Sequence, residues 1–540
     1  MSNSPVQSVR DAAFDVIRRA GIDRIFANPG STEISLLSNF PEDLKFTLAL
    51  HEGSVIGMAT GLAIATGEPA LAIVHTTAGL GNAIGAIATA RVNRAPIAII
   101  VGQQDRRHLA TEPFLAGKLS GLAGEYPVWF NEPITAQDVP AAIARAIHES
   151  RLRRGPAIVV VPMDDWNQMA DPDHVFAAPK AVQRGNNVDS EVISQLAHRI
   201  NLAKHPVIVA GAGNDSAEGW AEAVRLSEHL HVPVFQESFA GQAGFPQDHP
   251  NFAGFLSAAR SVVRTQLAEY DLILAVGAPV FRQYNYEAGP MFPEGTTVLL
   301  ITEDSDEALR SPADISVIAS LPASLKELTA QTTSRDSRRP LDVKRRPAPA
   351  APTAGEPLRA SHLMAALAQR LTPNTIVVEE TPSSRPDLHD LLPAREPQGF
   401  ISAAMGGLGF GLPATIGLKM GLPDRPVIAL LGDGSSMYGI QGLWSARHYQ
   451  VGCVFIILNN SRYAVMDRLA DKFGKSGPAW PAFEEIDFVQ LSESLGVEAT
   501  RISSYDQMIS VLDEVVPTLA SRTTALTLVV DVEPELTFAP

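Results

Sequence analysis

The segment VIALLGDGSS (residues 427–436) joins an apolar run directly to a glycine-flanked aspartate, Asp433. A second apolar run, residues 454–458, ends in the same way, on Asn459 and Asn460. Such runs are typical of strands in parallel sheets, which bind ligands at their carboxyl ends. Asp433 and Asn460 offer oxygens suited to Mg²⁺, and the glycines let backbone N–H groups approach phosphate. We therefore predict a magnesium and phosphate site at the edge of a parallel sheet.

The alternation of short apolar runs with helical patterns continues along the whole chain. It predicts an α/β fold of doubly wound parallel sheets with helices on both faces. One segment rich in proline and charge, residues 333–356, breaks this pattern and has the composition of a linker. We therefore predict three domains, at residues 1–180, 188–332 and 357–540.

The composition excludes several classes of protein. The 540 residues carry 43 Lys and Arg against 59 Asp and Glu, a formal net charge of −16, so we expect neither nucleic acid nor an anionic membrane as a partner. The one cysteine, Cys453, excludes an intramolecular disulfide framework and a cysteine-rich metal site. The first residues show no signal-peptide pattern, and no stretch has the aliphatic character of a membrane span. We expect a cytoplasmic protein that acts on a small molecule.

The two polar clusters together resemble the cofactor signature of thiamin diphosphate-dependent decarboxylases and carboligases. The resemblance covers essentially the whole chain and implies a pyrimidine-binding, a middle Rossmann-like and a diphosphate-binding domain. It implies thiamin diphosphate and Mg²⁺ as cofactors, with the metal held by Asp433, Asn460 and the backbone carbonyl of Arg462. The residues implied to contact the cofactor are Glu52, Ser383, Gly406, Leu408, Asp433, Gly434, Ser435 and Asn460.

Three of these residues have particular roles in the family. Thiamin diphosphate needs a carboxylic acid beside N1′ of its aminopyrimidine, a task that suits a buried glutamate with a tuned pKa. Glu52, in LHEG (residues 50–53), occupies the position of that glutamate. Leu408, in GGLGFG (residues 406–411), occupies the position of the bulky residue that holds the cofactor bent. The carbonyl of Gly406 is implied to accept from the 4′-amino group.

Loops near the start of the chain look most like those of benzoylformate decarboxylase. NPGS (residues 28–31) and HTTAGLGN (residues 75–82) follow apolar runs, and DDW (residues 164–166) is a further match. In that branch, the residues matching Ser31 and His75 lie beside the thiazolium. Ser31 is therefore implied to bind the substrate carboxylate, and His75 to transfer protons. The residues at positions of the substrate pocket are Ser31, His75, Phe114, Leu115, Tyr284, Val465 and Leu469.

Tyr284 is a departure from that pattern. It stands in VFRQYNY (residues 280–286), where benzoylformate decarboxylase has a second active-site histidine. Tyrosine, with an ordinary pKa of about 10, donates a proton less readily than histidine near neutral pH. We predict non-oxidative decarboxylation of an aromatic or bulky 2-oxo acid to an aldehyde and CO₂. The alternatives are a carboligase or lyase acting on 2-hydroxy ketones, or an acetolactate synthase-like enzyme.

Two further expectations concern assembly and the middle domain. In the family, the glutamate-bearing domain of one subunit faces the GDG-bearing domain of another, which implies a homodimer or homotetramer with active sites between subunits. GAG (residues 211–213) follows a predicted strand of the middle domain, where some relatives bind FAD or ADP. A tight turn without a ligand is the other interpretation of this segment.

Overall fold

The computed structural model describes residues 7–171, 181–182, 185–186, 188–335, 346–353, 355–472 and 479–534. Within this part of the chain, three six-stranded sheets form, and every pairing between their strands is parallel. The strands are β1 Arg24–Asn28, β2 Lys45–Leu48, β3 Ala70–Val74, β4 Ile97–Gln103, β5 Trp129–Asn131, β6 Pro156–Pro162, β7 Pro206–Ala210, β8 Val234–Gln236, β9 Phe252–Phe255, β10 Leu272–Val276, β11 Thr297–Thr302, β12 Ile315–Ile318, β13 Ile376–Glu380, β14 Phe400–Ser402, β15 Val427–Gly432, β16 Val454–Asn459, β17 Glu498–Ile502 and β18 Leu526–Asp531.

Helices connect most of the strands, as is usual for parallel pairing. They are α1 Val9–Arg19, α2 Ile34–Leu37, α3 Glu52–Thr66, α4 Thr76–Val92, α5 Val139–Arg153, α6 Ser190–Leu202, α7 Ala217–Leu230, α8 Arg260–Gln266, α9 Ser305–Arg310, α10 Leu321–Gln331, α11 Ala360–Ala368, α12 Arg385–Leu391, α13 Gly411–Gly421, α14 Asp433–Ser436, α15 Gly442–His448, α16 Ala464–Lys472, α17 Phe488–Ser494 and α18 Tyr505–Val515. The prediction of three α/β units with parallel sheets is confirmed.

The strand orders show where each sheet can bind a ligand. The first sheet has the order β2-β1-β3-β4-β6-β5, and the third sheet, β14-β13-β15-β16-β18-β17, repeats that connectivity. The middle sheet has the different order β12-β11-β10-β7-β8-β9. The chain reverses its direction of travel between β1 and β3, between β7 and β10, and between β13 and β15. Open parallel sheets bind ligands at the carboxyl ends of such strand pairs, which we call the switch points.

The first and third domains pack directly on each other through α3 and α13. A Cβ atom added at Gly61 would lie 2.1 Å from the carbonyl oxygen of Ala414, and one added at Gly417 would lie 1.9 Å from that of Met58. The two helices therefore approach to backbone contact, which only glycine permits. Buried side chains of both sheets join in one core around this crossing.

The domain limits inferred from the sequence, 1–180, 188–332 and 357–540, stay a prediction. Part of the predicted linker 333–356, residues 336–345 and 354, lies outside the described residues. In the part of the chain that the structure describes, no helix combines the length and the apolar character needed to cross a bilayer.

Candidate active site

Asp433 lies where β15 ends, at the switch point of the third sheet. β15 pairs with β16 so that Gly432 lies beside Leu458, which brings together the residues that follow the two strands. The Oδ2 atom of Asp433 accepts hydrogen bonds from the backbone N–H of Asn460 at 2.8 Å and of Ser461 at 2.5 Å. The two polar clusters of the sequence therefore meet at one edge of the sheet.

The electrostatics of Asp433 fit a divalent cation. Its side chain is only 3% exposed, and burial raises its pKa above the usual aspartate value, whereas the groups that lower it are all backbone N–H donors. A carboxylate balanced only by peptide dipoles is suited to a metal ion. The Asn460 amide oxygen, which accepts from the N–H of Arg462 at 3.1 Å, is a second hard oxygen of the kind that Mg²⁺ prefers. No cluster of three or more His, Cys, Asp or Glu occurs among the described residues as another metal site.

A cavity opens beside Asp433 and is lined by several segments of the third domain. Gly434 has no room for a side chain there, because an added Cβ would lie 2.7 Å from the ring of Tyr463. The hydroxyl groups of Ser383 and Ser435 suit the oxygens of a diphosphate. The residues predicted from the sequence that line this cavity are Ser383, Leu408, Asp433, Gly434, Ser435, Asn460, Arg462 and Val465.

Gly406 and Leu408 lie on an irregular loop between β14 and α13, residues 403–410, which we call the cofactor loop. Gly406 has φ +72°, a conformation that favours glycine. The N–H of Ala404 donates to Oδ1 of Asn93 at 2.9 Å, and its carbonyl accepts from Nη1 of Arg282 at 2.8 Å. The first and middle domains therefore both fix the start of this loop.

Glu52 begins α3 in the first domain and is buried, 8% exposed. The amide nitrogen of Asn82 donates to its Oε2 at 3.1 Å. The preceding His51 caps the helix, because its Nδ1 accepts from the N–H of Gly53 at 3.0 Å. The Glu52 carboxyl is thus held at a helix start with little water around it, an environment that fits a proton carrier beside an aminopyrimidine nitrogen.

Ser31 follows β1 and His75 follows β3, the two strands at the switch point of the first sheet. Nδ1 of His75 lies 3.0 Å from Oε2 of Glu33 and 2.9 Å from the hydroxyl oxygen of Thr32. An added Cβ at Gly30 would lie 2.4 Å from the imidazole ring, so the loop packs tightly on it. Because Nδ1 is occupied, Nε2 is the ring nitrogen left for proton transfer.

Glu33 is a site residue that the sequence reasoning missed. Its side chain is 1% exposed, and its oxygens accept from the N–H of Gly30 at 2.7 Å and the hydroxyl of Thr32 at 2.5 Å. A Cβ at Gly102 would lie 1.6 Å from its Oε1, so β4 provides the space that this carboxylate fills. The one signal in the sequence is an acid three residues after Gly30, which is the spacing of a capping box and indicates only a helix start.

The other predicted pocket residues are less buried than Glu52 and Glu33. The Phe114 side chain is 87% exposed and that of Tyr284 57%, while Leu115 has φ +66° and Leu469 is half-buried on α16. The Tyr284 ring lies 6.5 Å from the ring of Phe239.

The described lining of the cavity beside Asp433 contains only one half of the predicted site. Among the described residues, this lining includes none from the first domain, and so none of Glu52, Ser31 and His75.

Comparisons with known proteins cover all three units of the chain. The N-terminal TPP binding domain of thiamine pyrophosphate enzymes matches residues 7–120, their central domain residues 193–328, and their C-terminal TPP binding domain residues 383–530. Benzoylformate decarboxylase of Pseudomonas aeruginosa is 35% identical over 505 residues, which span 93% of this chain and 95% of that protein. The large subunit of acetolactate synthase isozyme 3 of Escherichia coli is 24% identical over 516 residues, 92% of this chain and 89% of that one.

Two solved structures give the same result. The thiamine diphosphate-dependent 4-hydroxybenzoylformate decarboxylase of Rhodococcus jostii RHA1 superposes with a TM-score of 0.92 at 33% identity, covering 98% of this chain and 100% of that one. Benzoylformate decarboxylase from Polynucleobacter necessarius superposes with a TM-score of 0.92 at 29% identity, covering 99% of this chain and 100% of that one. The chain belongs to the family of thiamin diphosphate-dependent 2-oxo acid decarboxylases that includes benzoylformate decarboxylase.

Proposed function

We propose that this protein decarboxylates an aromatic or bulky 2-oxo acid, such as benzoylformate, to an aldehyde and CO₂, with thiamin diphosphate and Mg²⁺. The observation that carries the proposal is the buried Asp433 carboxylate, held by backbone N–H groups in one cavity with Leu408 and Ser383. The similarity to benzoylformate and 4-hydroxybenzoylformate decarboxylases supports an aryl substrate. An acetolactate synthase-like activity is not favoured, because those relatives are less similar.

The chain's own residues divide the tasks between the two sheet edges. Asp433, Asn460 and the carbonyl of Arg462 would hold Mg²⁺ against the diphosphate, and Leu408 would support the cofactor in the cavity. When bound, thiamin diphosphate supplies the carbon nucleophile and the electron sink that the reaction requires. Glu52 would hold a proton at N1′ of the aminopyrimidine.

The substrate would be handled by the first sheet. The Ser31 hydroxyl would donate to the substrate carboxylate, and His75 would transfer protons through Nε2 because Glu33 occupies Nδ1. The side chains that would surround the apolar part of the substrate are Phe114, Leu115, Tyr284, Val465 and Leu469.

The lack of first-domain residues in the described lining of the cavity beside Asp433 supports an assembly in which two chains complete each site. Met437, Tyr438 and Tyr463, all close in sequence to Asp433 or Asn460, are 38%, 56% and 36% exposed. Large apolar side chains at that exposure suit a contact with a second subunit. We therefore propose a homodimer or homotetramer with active sites between subunits. A cytoplasmic location stays a prediction.

The direct test is to incubate the purified protein with thiamin diphosphate, Mg²⁺ and benzoylformate, and to measure CO₂ and benzaldehyde. Glu52→Ala should lower turnover by about 100-fold or more, the scale of a lost general acid–base group. Glu498→Ala, a change at an exposed carboxylate, is the matched control and should leave turnover unchanged. Equal activity in Glu52→Ala and the parent protein would contradict the mechanism.

Product analysis separates decarboxylation from carboligation. Tyrosine donates a proton less readily than histidine near neutral pH, so Tyr284 disfavours the proton transfer that aldehyde release requires. Tyr284→His should therefore raise the ratio of aldehyde to 2-hydroxy ketone. A parent protein that forms 2-hydroxy ketones without free aldehyde would be a carboligase instead.

A further inference from the structure

Glu380 occupies the end of β13, at the switch point of the third sheet, and its side chain is 3% exposed. Its carboxylate accepts backbone hydrogen bonds from Gly409 at 2.7 Å and Phe410 at 2.8 Å. A third bond comes from the N–H of Gly411, the first residue of α13. One buried side chain therefore holds three successive peptide groups at the end of the cofactor loop.

These bonds hold an irregular stretch of backbone in a defined position. Gly409 has φ +94°, and the cofactor loop contains no strand or helix. Its start is held at Ala404 by Asn93 and Arg282, and its end is held by Glu380. Leu408, which lines the cavity beside Asp433, lies between these two anchors.

A carboxylate is suited to this task in a way that other side chains are not. It offers two oxygens with lone pairs for several donors and carries no hydrogen of its own when ionised. It also lies at the N-terminus of α13, where the helix dipole favours negative charge. A glutamine of nearly the same shape would present an amide N–H₂ group to a cluster of N–H donors. At least one of these backbone N–H groups would then lack an acceptor.

The neighbouring Glu379 has a different partner set, which shows that the two acids are not interchangeable. Its carboxylate pairs with Arg385 at 2.7 Å and accepts from the hydroxyl of Ser402 at 2.8 Å. Glu379 thus ties β13 to α12 and β14, whereas Glu380 alone of the pair bonds to the cofactor loop.

We infer that Glu380 is a positioning residue for thiamin diphosphate: it fixes the cofactor loop so that Leu408 meets the cofactor in a preformed place. The inference rests on the proposed function. It predicts that loss of the carboxylate weakens cofactor binding because the loop must then be ordered at the moment of binding.

The test is a titration of the cofactor-free full chain with thiamin diphosphate at saturating Mg²⁺, followed by intrinsic fluorescence. Glu380→Gln should raise the Kd by about 10-fold or more, the scale of lost hydrogen bonds to a charged group. Glu307→Gln is the matched control: it also replaces a buried carboxylate, one that accepts from the hydroxyl of Thr302 in the middle domain. The control should keep the parent Kd even if it lowers the melting temperature.

A double-mutant cycle shows whether Glu380 acts through Leu408. Leu408→Ala should weaken binding by itself, and adding Glu380→Gln should then change the Kd less than it does in the parent chain. If Glu380→Gln does not fold, Glu380→Asp keeps the charge, withdraws the oxygens by one methylene, and should change the Kd in the same direction. A folded Glu380 variant with the parent Kd, or two fully independent effects, overturns the inference. A parent chain that binds no thiamin diphosphate contradicts the proposed function instead.

Discussion

The middle and third sheets both end a central strand in a Gly-x-Gly turn at the switch point, but the two turns use their glycines differently. After β7, the N–H of Gly211 donates to the carbonyl of Val276 at 3.0 Å, and that of Gly213 to the carbonyl of Gly277 at 2.9 Å. A Cβ at Gly213 would lie 2.9 Å from Cα of Gly277. The glycines of this turn therefore allow it to close on the loop beside it.

After β15, the residue between the glycines is Asp433 instead of Ala212. The N–H of Gly434 bonds to the Asp433 carboxylate at 2.7 Å, and this carboxylate also collects donors from the end of β16. The difference teaches that glycines at a strand end do not by themselves define a phosphate site. The turn after β15 differs from the turn after β7 in carrying a buried acid that collects backbone N–H donors, whereas the turn after β7 bonds to the loop beside it.

The largest effect should follow removal of that acid. Asp433→Ala deletes the predicted metal ligand and leaves the N–H groups of Asn460 and Ser461 without an acceptor. We expect kcat/KM to fall by at least about 100-fold, as for other groups that stabilise charge in an active site. Steady-state kinetics over a series of Mg²⁺ concentrations measures this. Asp506→Ala on the exposed side of α18 is the control, and a variant at Asp433 with parent kinetics would remove the basis of the comparison.

The first sheet should behave like the third, because it too holds a buried acid at its switch point. Glu33→Gln keeps the size of the side chain but removes the charge beside Nδ1 of His75. We expect kcat to fall by about 10-fold to 100-fold, within the range of general acid–base effects, with a smaller change in KM. Kinetics of Glu33→Gln, His75→Ala and the double variant form the test. Additive losses would show that Glu33 does not act through His75.

The turn of the middle sheet should respond in stability and not in cofactor binding. Gly213→Ala forces a methyl group against Gly277, and we expect it to destabilise the fold by about 1–3 kcal/mol, as overpacking does. The Kd for thiamin diphosphate should stay unchanged. Gly85→Ala, on a helix where an added Cβ meets nothing within 4 Å, is the control. Denaturant unfolding and cofactor titration together decide, and a weaker cofactor affinity in Gly213→Ala would be evidence against the contrast between the two turns.

The contrast also shows what the sequence could and could not reveal. Parallel strands were predictable because each apolar run is short and ends in polar or glycine residues, and the meeting of Asp433 with Asn460 followed from the common edge of neighbouring strands. The roles of Glu33 and Glu380 were not predictable, because their partners are backbone groups or lie tens of residues away. For GAG (residues 211–213), the sequence alone leaves two interpretations open, because it does not show that the N–H groups of Gly211 and Gly213 bond to Val276 and Gly277.

A smaller effect concerns Asp215, two residues after Gly213 of the middle turn. Burial raises its pKa to about 7, although it accepts from Gln242 at 2.9 Å and from the N–H of Gln398 at 3.0 Å. Between these two pKa values the folded state binds a proton that the unfolded state has released. The contribution of Asp215 to the free energy of unfolding is therefore greatest below the usual aspartate pKa and falls as the pH rises towards 7. This group contributes a slope of at most about 1.4 kcal/mol per pH unit. Asp215→Asn should flatten the dependence of the denaturation midpoint on pH between 5 and 7, and a profile parallel to the parent's would refute it.

The smallest expected effect is that of adenine nucleotides on the middle domain. A cavity of about 360 Å³ adjoins Gly213, but the N–H groups of the turn already bond to Val276 and Gly277. Arg282, which lines the cavity, is paired with the buried Glu237. The carboxylates that line it are Asp215, Glu218, Glu237, Glu303 and Glu307. Arg94 and Arg154 also line the cavity, so five carboxylates face three arginines. An anionic phosphate would therefore meet more acids than cationic groups, which disfavours binding.

We therefore expect no change in melting temperature when ADP or FAD is added at about 1 mM, a concentration at which even a Kd of 0.1 mM would give a shift by mass action. Thiamin diphosphate with Mg²⁺, added to the same cofactor-free chain, is the positive control and should raise the melting temperature. A saturable shift with ADP that Gly213→Ala abolishes would show that the closed turn opens for a nucleotide. The two Gly-x-Gly turns would then differ in the ligand they take and not in whether they take one.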